Sequence, residues 1–498
     1  MNLVASNPKD DRGAVLPLVA LMTLVLFGMV GFAVDLGWVY LNASRVQNAA
    51  DAAALAAVTR LPHVTPTISG SAAESLAFQL AADNGYPAGN VVVANVPLDP
   101  ANPASRFNDY QVEVTVADDV DMFFSRVFGI DTMTVTRDAV AESLPPLALG
   151  GSSNTFGIGV SGGGDGFWAA INSTIDRYEN GDPFSSANPV GGSADQGTDS
   201  IRTNRAAAGI EGYYYALDVP AGAGAITVFT IDAAYASANA SSRYNDGRVQ
   251  PLEHGSSMST RFRLAGVDNS PFDYTDNTTI LGCDRTYAPT AYPNNIALDP
   301  FDPTNPVVDI LCVVPVTSEG IYPLHVTANA ANRGGNSFGL AVSNTGSGTV
   351  KIYGLGSMSL SNTIAGGSST VDLMRVPEEY AGRKIKASFF DPGDTSGGGN
   401  TTMNVLPDAG GISCTITRGD TNAFVGSDVG NCFVNTQNNG NRLYSGEWVH
   451  MTFDLPSTYS CLSDCWWRIN NVIPAGVTAN DRTTWRVEVE GNPVHLIG

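Results

Sequence analysis

The chain has 498 residues, which is enough for two to four domains of about 100–200 residues each. Its 48 acidic and 26 basic residues give a formal charge of −22. This charge excludes nucleic acid and anionic lipid headgroups as expected partners, because both are bound by basic surfaces. The hydrophobic fraction of 43% is enough to build packed cores.

The first predicted element is a membrane-spanning helix at residues 14–34, preceded by a cytoplasmic tail at residues 1–13. The span contains no charged residue, and at about 1.5 Å per residue it can cross a hydrocarbon core of roughly 30 Å. The alternative is a cleaved signal peptide, which has a shorter apolar core and small residues at its cleavage site. Asp35-Leu36-Gly37-Trp38 does not match such a site, so we expect an uncleaved anchor.

The helix is expected to continue beyond Asp35 as one long rod. Residues 36–60 are rich in alanine and contain no proline, a composition that favours helix. A second helix is predicted at residues 71–82, and Asn84-Gly85 forms its C-terminal cap.

A small antiparallel sheet is predicted to follow the two helices. Residues 91–96 are apolar, and residues 109–116 and 132–143 alternate between apolar and polar side chains, as strands do. Residues 120–129 are expected to form a short amphipathic helical turn between the last two strands. Residues 35–145 are therefore predicted to be one α+β module.

Three strings in this part of the chain carry a family resemblance: RGAV at 12–15, AVDLGWVYL at 33–41 and QNAADAAALAAV at 47–58. With the apolar helix between them, they resemble the amino-terminal segment of the TadE/TadG-like proteins of the tight-adherence (Flp pilus) system. The resemblance covers the first 60 residues firmly and about 145 loosely. It implies a pilin-like membrane helix, a role in assembling or anchoring a surface filament, other pilus or secretion-system proteins as partners, and no catalysis.

The chain departs from the processed members of that family at one point. Pilin-like relatives cleaved by the prepilin peptidase carry a glutamate a few residues after the glycine. Here Gly13 is followed by Ala14 and then Val15-Leu16-Pro17-Leu18, without a glutamate. The resemblance therefore implies a permanently anchored, TadG-type protein.

Beyond the stiff Pro145-Pro146 hinge, the chain is predicted to be mainly β. It is rich in Gly, Asn, Ser and Thr and contains many short β runs, among them residues 213–219, 225–231 and 384–390, a pattern typical of β-sandwiches or jelly rolls. Residues 217–232 and 374–391 share a Val-Pro, a glycine-containing turn, an alternating strand and a final Asp. We therefore predict two related sandwiches at 146–345 and 346–498. The expected fold class is α+β, with a long N-terminal helix and a small sheet before two sandwich domains.

The six cysteines all lie in the β region, and they predict three disulfides in an oxidising compartment. Proximity suggests Cys283–Cys312, Cys414–Cys432 and Cys461–Cys465, although six cysteines allow 15 pairings. Zinc is the alternative, but Cys461 and Cys465 lack a second close Cys or His pair. The tail is short, and its positive residues Lys9 and Arg12, although balanced by Asp10 and Asp11, favour the inside. We therefore expect a single-pass protein of the cytoplasmic membrane with its bulk extracytoplasmic.

Calcium is the one cofactor that the sequence leaves open, because calcium takes carboxylate and carbonyl oxygens from flexible loops. No stretch has EF-hand spacing, and Asp in Gly-rich turns usually bonds its own backbone. The weak candidates are acidic residues in turns: Asp268, Asp273, Asp299, Asp302, Asp391 and Asp394.

Aromatic residues give the remaining interaction signal, since consecutive rings on a strand point to both of its faces. Tyr214, Trp466 and Trp467 are candidate ligand contacts, and packing inside a sandwich is the alternative. Two Gly-x-Ser-x-Gly strings, around Ser161 and Ser337, lack the strand-turn-helix context of a nucleophile elbow, so no enzyme is expected.

Two functions follow from these observations. The first is a non-enzymatic, membrane-anchored surface protein that acts in pilus assembly, anchoring or surface attachment, with the membrane contacted through residues 14–34. The alternative is an adhesin that binds surface glycans or proteins with its β-sandwiches.

Overall fold

The computed structural model describes residues 12–62, 68–94, 110–151, 153–157, 159–161, 165–173, 181–184, 211–233, 258–288, 308–328, 335–419, 423–429 and 432–497. The chain forms two compact units. The first unit is Met1–Ser143 with Val494–Gly498, and the second unit is Leu144–Pro493. The predicted α+β class is confirmed: one long N-terminal helix and a small sheet precede a mainly antiparallel β region.

The first unit contains two helices and a four-stranded sheet, with strands numbered along the whole chain. The elements are α1 Arg12–Ala57, α2 Ala72–Asp83, β1 Val91–Ala94, β2 Gln111–Asp121, β3 Thr132–Ser143 and β26 Val494–Ile497. The single rod predicted on both sides of Asp35 is confirmed by α1, which is 46 residues long.

Small side chains let the second half of α1 pack closely on this sheet. Val46, Ala49 and Ala53 are fully buried, and in the same core Val112 and Val114 of β2 point inward while the residues between them are partly exposed. The alternation predicted at 109–116 is therefore the buried face of β2. Helix and sheet hold each other through this apolar layer.

The second helix has defined caps at both ends. The Ser71 side chain accepts a hydrogen bond from the Glu74 N–H at 3.1 Å, and Glu74 Oε2 accepts one from the Gly70 N–H at 2.7 Å. At the other end Gly85 adopts a φ of +97°, a conformation that favours glycine. The predicted cap at Asn84-Gly85 thus matches the observed end of α2.

The sheet order is β1-β2-β3-β26, with antiparallel neighbours. Val494 pairs with Ser143 and Ile497 pairs with Val140. The sequence analysis assigned the end of the chain to the second sandwich. The structure instead returns it to the first unit, because its four residues complete the edge of β3.

Within the described residues the second unit contains 22 strands, and all their pairings are antiparallel. Its strands are β4 Ala148–Leu149, β5 Thr155–Phe156, β6 Gly159–Ser161, β7 Asp165–Asn172, β8 Tyr213–Val219, β9 Ala225–Ile231, β10 Thr260–Ala265, β11 Thr279–Tyr287, β12 Val308–Pro315, β13 Gly320–Ala328, β14 Gly335–Asn344, β15 Lys351–Leu355, β16 Ser357–Arg375, β17 Lys384–Phe390, β18 Thr395–Ser396, β19 Thr401–Leu406, β20 Ser413–Arg418, β21 Ala423–Val429, β22 Cys432–Asn438, β23 Asn441–Arg442, β24 Trp448–Asp454 and β25 Trp466–Glu490. The predicted strands at 213–219, 225–231 and 384–390 coincide with β8, β9 and β17.

The core of the second unit draws on both predicted sandwiches. A single buried cluster includes residues from Leu144 to Trp485. The long strands β16 and β25 pair along their length, and β16 also pairs with β7. The division into 146–345 and 346–498 stays a prediction.

The two segments that resemble each other in sequence also share a backbone feature. Asp232, directly after β9, has a φ of +53°, and Asp391, directly after β17, has a φ of +56°. Both aspartates are buried. β9 lies between β12 and β14, as β17 lies between β24 and β25.

All six cysteines are paired, in the three pairs that proximity suggested. Cys283–Cys312 joins β11 to β12, and Cys414–Cys432 joins β20 to β22. Cys461–Cys465 closes a short loop immediately before β25.

Candidate functional site

The first half of α1 is apolar and exposed on all sides. Within the described residues, Leu16–Arg60 is long and apolar enough to cross a membrane, with a mean hydropathy of 2.3 over its most apolar 18 residues. Only 6% of that window is buried. Leu24 and Phe27 are 75% and 73% exposed, whereas the second half of the helix packs on the sheet. A soluble core helix would bury this surface.

Asp35 is the first charged residue after the apolar run, and it is buried, with only 2% of its surface exposed. The loop between β2 and β3 covers it. A buried carboxylate without partners costs several kcal/mol, so the atoms that surround Asp35 decide whether this position is stable.

Four donors from that loop satisfy the Asp35 carboxylate. Oδ1 accepts the Phe123 N–H at 2.9 Å, and the Phe124 N–H lies 3.1 Å from Oδ2. Oδ2 also accepts both the backbone N–H and the Oγ–H of Ser125, each at 2.6 Å. Hydrogen bonds to an ionised acceptor are among the stronger ones in proteins. Asp35 therefore fixes the loop to the helix at this level.

Two packing contacts hold the loop on the same face of α1. Phe124 lies against Gly31, where an added Cβ would come within 2.9 Å of the Phe124 Cβ. The rings of Phe123 and Trp38 lie 5.6 Å apart. Gly31 is inside the predicted span, so the loop reaches back alongside its last turn.

We call residues 122–131 the phenylalanine loop. It contains a short 3₁₀ turn at Ser125–Phe128, which corresponds to the helical turn predicted at 120–129. Val120 and Met122 of the predicted stretch lie in the core of the first unit, whereas its other large apolar side chains and Ile130 do not point into the core. The exposed fractions are 58% for Phe123, 51% for Phe124, 83% for Val127, 77% for Phe128 and 50% for Ile130.

Sequence reasoning identified the apolar run but missed the role of Asp35. Two signals were available. Asp35 is a lone acid between apolar neighbours in AVDLGWVYL, and the run MFFSRVFGI at 122–130 has more large apolar residues than a short turn can bury. Neither signal says that the two segments meet.

The first two calcium candidates accept hydrogen bonds within their own turns. Asp268 accepts a hydrogen bond from the Ser270 N–H at 2.8 Å, and Asp273 accepts two from Thr275, at 3.1 and 2.6 Å. The hydrogen bonds from Thr275 lower the pKa of Asp273. These are the local bonds that Asp commonly makes in turns. Asp299 and Asp302 lie outside the described residues.

The remaining two candidates lie in a buried acidic cluster. Asp391 and Asp394 are joined there by Asp481 of β25, which the sequence analysis missed. Asp394 pairs with Arg442 at 2.9 Å, and Asp481 Oδ2 accepts the Gly393 N–H at 2.8 Å. Burial, with the negative charges of Asp394 and Asp481, raises the pKa of Asp391 well above its ordinary value.

The described residues contain no group of three or more His, Cys, Asp or Glu side chains that could hold a metal ion. The acidic cluster therefore lacks a complete ligand set of these residue types. Calcium stays a prediction that only a binding experiment can test.

The aromatic residues predicted as candidate ligand contacts are buried, with exposed fractions of 8% for Tyr214, 6% for Trp466 and 0% for Trp467. Tyr214 stacks on His325 at 4.1 Å. Trp467 packs edge-on against Phe453 at 5.0 Å. Burial favours the packing alternative for these rings, and the ligand-contact prediction stays a prediction.

The two serine motifs also lie in strands. Ser161 ends β6, and Ser337 lies within β14, opposite Ala170 of β7. Neither position has the strand-turn-helix geometry that exposes a nucleophile.

Residues 13–60 match the family model of the Flp pilus-assembly TadE/G-like proteins. The match covers α1 and ends at Arg60, so it includes the apolar run, Asp35 and the helix face that packs on the sheet. Together with the exposed apolar helix, it fits a membrane-anchored pilus-assembly protein, and that family is not a class of enzymes.

No curated protein matches the chain significantly. Three solved structures are similar over part of their length, at TM-scores too low to support any argument. They are the N-terminal CBM22-1-CBM22-2 tandem domain of Xyn10C from Paenibacillus barcinonensis (9% identity, 55% of this chain and 79% of that one, TM-score 0.13), a protein from Parabacteroides distasonis ATCC 8503 (8%, 70% and 89%, 0.12) and the infectious bursal disease virus Gx strain (10%, 70% and 77%, 0.10).

Proposed function

We propose that this chain is a non-enzymatic, single-pass protein of the cytoplasmic membrane that acts in assembling or anchoring an Flp-type pilus. Residues 14–34 cross the membrane, residues 1–13 stay inside, and the rest of the first unit is extracytoplasmic, as is the whole second unit. The observation that carries the proposal is the change of environment along α1. From Leu16 to Val34 the helix is apolar and exposed except at Gly28 and Gly31, and from Ala43 it packs into the core of the first unit.

The disulfides support the outward orientation of the second unit. Structural disulfides persist outside the reducing cytoplasm, and all three lie beyond residue 280. The two positive residues of the tail, Lys9 and Arg12, support a cytoplasmic N-terminus. The partners that this role requires are other pilus or secretion-system proteins.

The experiment is fractionation of cells that express the chain with a C-terminal tag on a flexible linker. We expect full-length protein in the membrane pellet after an alkaline wash, with the tag open to protease in spheroplasts. Protein shortened near Gly13 and recovered in sheared filaments would instead identify a processed pilus subunit. Protein in the soluble fraction would contradict membrane anchoring.

A charged variant tests the span directly. Leu24 and Leu26 are exposed and central, and a lysine near the middle of a span costs about 2.5–3.5 kcal/mol. We expect Leu24→Lys combined with Leu26→Lys to release the protein from the pellet. Asn48→Lys, which changes an exposed residue outside the span, is the matched control and should not.

The adhesin alternative is tested separately. A glycan array probed with the full-length protein in detergent would favour it only if reproducible binding were found. We do not carry it further, because the rings proposed to bind a ligand are buried.

A further inference from the structure

We propose that the phenylalanine loop is a second membrane contact, with the rings and aliphatic side chains of residues 123–130 inserted into the interfacial layer of the bilayer beside α1. The inference rests on the proposed single-pass anchor and adds a surface to it. Contiguous exposed apolar groups on an otherwise polar fold mark a site of interaction. The lipid bilayer is the occupant that the position of this surface indicates.

The level of the loop along α1 is set by two contacts. Asp35 binds the backbone of residues 123–125, at the end of the apolar run. Phe124 lies against Gly31, four residues inside that run, which is about 6 Å along the helix axis. The apolar surface of the loop is therefore continuous with the surface that meets lipid.

Two aromatic residues of α1 lie just beyond Asp35. Trp38 contacts Phe123, and Tyr40 is 80% exposed. Tryptophan and tyrosine are enriched at membrane interfaces, where one part of the ring is apolar and the other part is hydrated. Together with the loop, these two residues form an aromatic belt at the outer end of the span.

The charges around the loop limit its depth. Asp118, Asp119, Asp121 and Asp131 flank it, and its only basic residue, Arg126, pairs with Asp121 at 2.8 Å. The loop therefore gains nothing from anionic headgroups. It inserts through apolar contact alone and stops where the carboxylates reach the water, so its binding should not weaken at high salt.

The test uses full-length protein with one added cysteine, labelled with a nitrobenzoxadiazole dye while the native disulfides stay oxidised. The protein is reconstituted in phosphatidylethanolamine–phosphatidylglycerol vesicles that contain lipids brominated at a shallow or a deep acyl position. Val127→Cys reports on the loop, and Phe27→Cys reports on the span. Val92→Cys is the control: it is 63% exposed and pairs with Thr115, about 20 Å along β2 from Asp121.

We expect quenching at Val127→Cys to exceed that at Val92→Cys by about twofold or more. It should be stronger with shallow than with deep bromines, and it should be unchanged in high salt. Quenching at Phe27→Cys without quenching at Val127→Cys would overturn the inference and leave the anchor intact. A label at Val127→Cys that is shielded from water but not quenched would also overturn it, because a second copy would then cover the loop. Quenching at neither position would refute the anchor itself.

Discussion

Ser125 donates two hydrogen bonds to one oxygen of Asp35, from its backbone N–H and from its Oγ–H, both at 2.6 Å. Ninety residues separate the two side chains in the sequence. The pair joins the point where the apolar run ends to the turn that carries the exposed phenylalanines. Changes at Asp35 or at the neighbouring Gly31 should therefore alter the position of the loop.

Asp35→Asn should loosen the phenylalanine loop. The amide keeps one acceptor oxygen but places an NH₂ group where the loop presents only donors. A hydrogen bond to a charged group contributes about 1.5–3 kcal/mol, so we expect local opening to become at least tenfold more frequent. Amide hydrogen exchange at residues 123–125, in detergent-solubilised full-length protein, measures it. Asp83→Asn, at an exposed carboxylate on α2, should leave these amides unchanged.

Gly31→Ala should have a similar effect through packing. The new methyl group would lie 2.9 Å from two Phe124 carbons, so the loop has to move away from the helix. Gly28→Ala and Gly37→Ala are matched controls, because nothing lies within 4 Å of an added Cβ at either position. These two changes should be neutral or stabilising by up to about 1 kcal/mol. Equal exchange rates in all three variants would show that the close contact does not restrain the loop.

The acidic cluster predicts an unusual pH dependence for the second unit. Burial and the neighbouring carboxylates raise the pKa of Asp391, and burial raises the pKa of Asp481. The folded protein then keeps these protons to a higher pH than the unfolded chain does. The contribution of the cluster to the free energy of unfolding therefore falls as the pH rises from about 3.9 through the folded-state pKa values.

Asp391→Asn should accordingly stabilise the protein at pH 7. Asparagine tolerates the positive φ at this position, removes one buried charge, and supplies a donor where Oδ2 has no hydrogen-bond partner among the described residues. A buried polar atom without a hydrogen-bond partner costs about 1–3 kcal/mol, so we expect a gain of about that size at pH 7 that shrinks toward pH 4. Scanning calorimetry at both pH values measures it.

The control for this prediction is Asp454→Asn, which breaks a half-exposed ion pair with Lys384 and should change stability by under about 1 kcal/mol. A stabilising effect of calcium would contradict this prediction. If added calcium raised the melting temperature of the wild type and Asp391→Asn abolished that rise, the cluster would be a cation site. The predicted gain from asparagine would then be wrong.

The disulfides should differ in their contribution to stability. Replacing Cys414 and Cys432 with alanine opens a loop of sequence separation 18, whereas Cys461 and Cys465 are only 4 apart. The chain-entropy model gives about 3 kcal/mol for the first and about 2 for the second. Thermal melts of the two double variants, compared with wild type, measure the order. A larger loss of stability on opening the short loop would mean that contacts in the folded protein, and not the entropy of the unfolded chain, determine how much each disulfide contributes.

The first unit could be predicted largely from the sequence, because its signals are local. The uncharged run, the alanine-rich continuation, the capped second helix and the alternation of Val112, Val114 and Val116 each lie within one short segment. A period of two or of 3.6 residues is enough to recognise such elements. The strands at 213–219, 225–231 and 384–390 were predicted in the same way.

The sites could not be predicted, because they depend on pairs that are distant in sequence. Asp391 meets Asp481 only because β17 and β18 both pair with β25, so that Phe390 lies opposite Thr484 and Thr395 lies opposite Ala479. No periodicity in either segment encodes that register. Burial of the rings at Tyr214 and Trp467 has the same origin, since a strand alone does not reveal which of its faces another strand will cover.

The chain enters the second unit at Ser143 and leaves it at Val494, two residues that face each other on β3 and β26. Tension applied to the second unit therefore reaches the first unit by one covalent path, through Ser143 into β3, and by one hydrogen-bonded path, through β26. β26 is held by four residue pairs at the edge of the sheet, whereas β3 is also paired with β2 over eleven. Under load the short strand should detach first, while the covalent path through β3 keeps the protein attached to its helix. The edge strand is thus the part of the first unit that yields first, and its loss leaves the connection to the anchor unbroken.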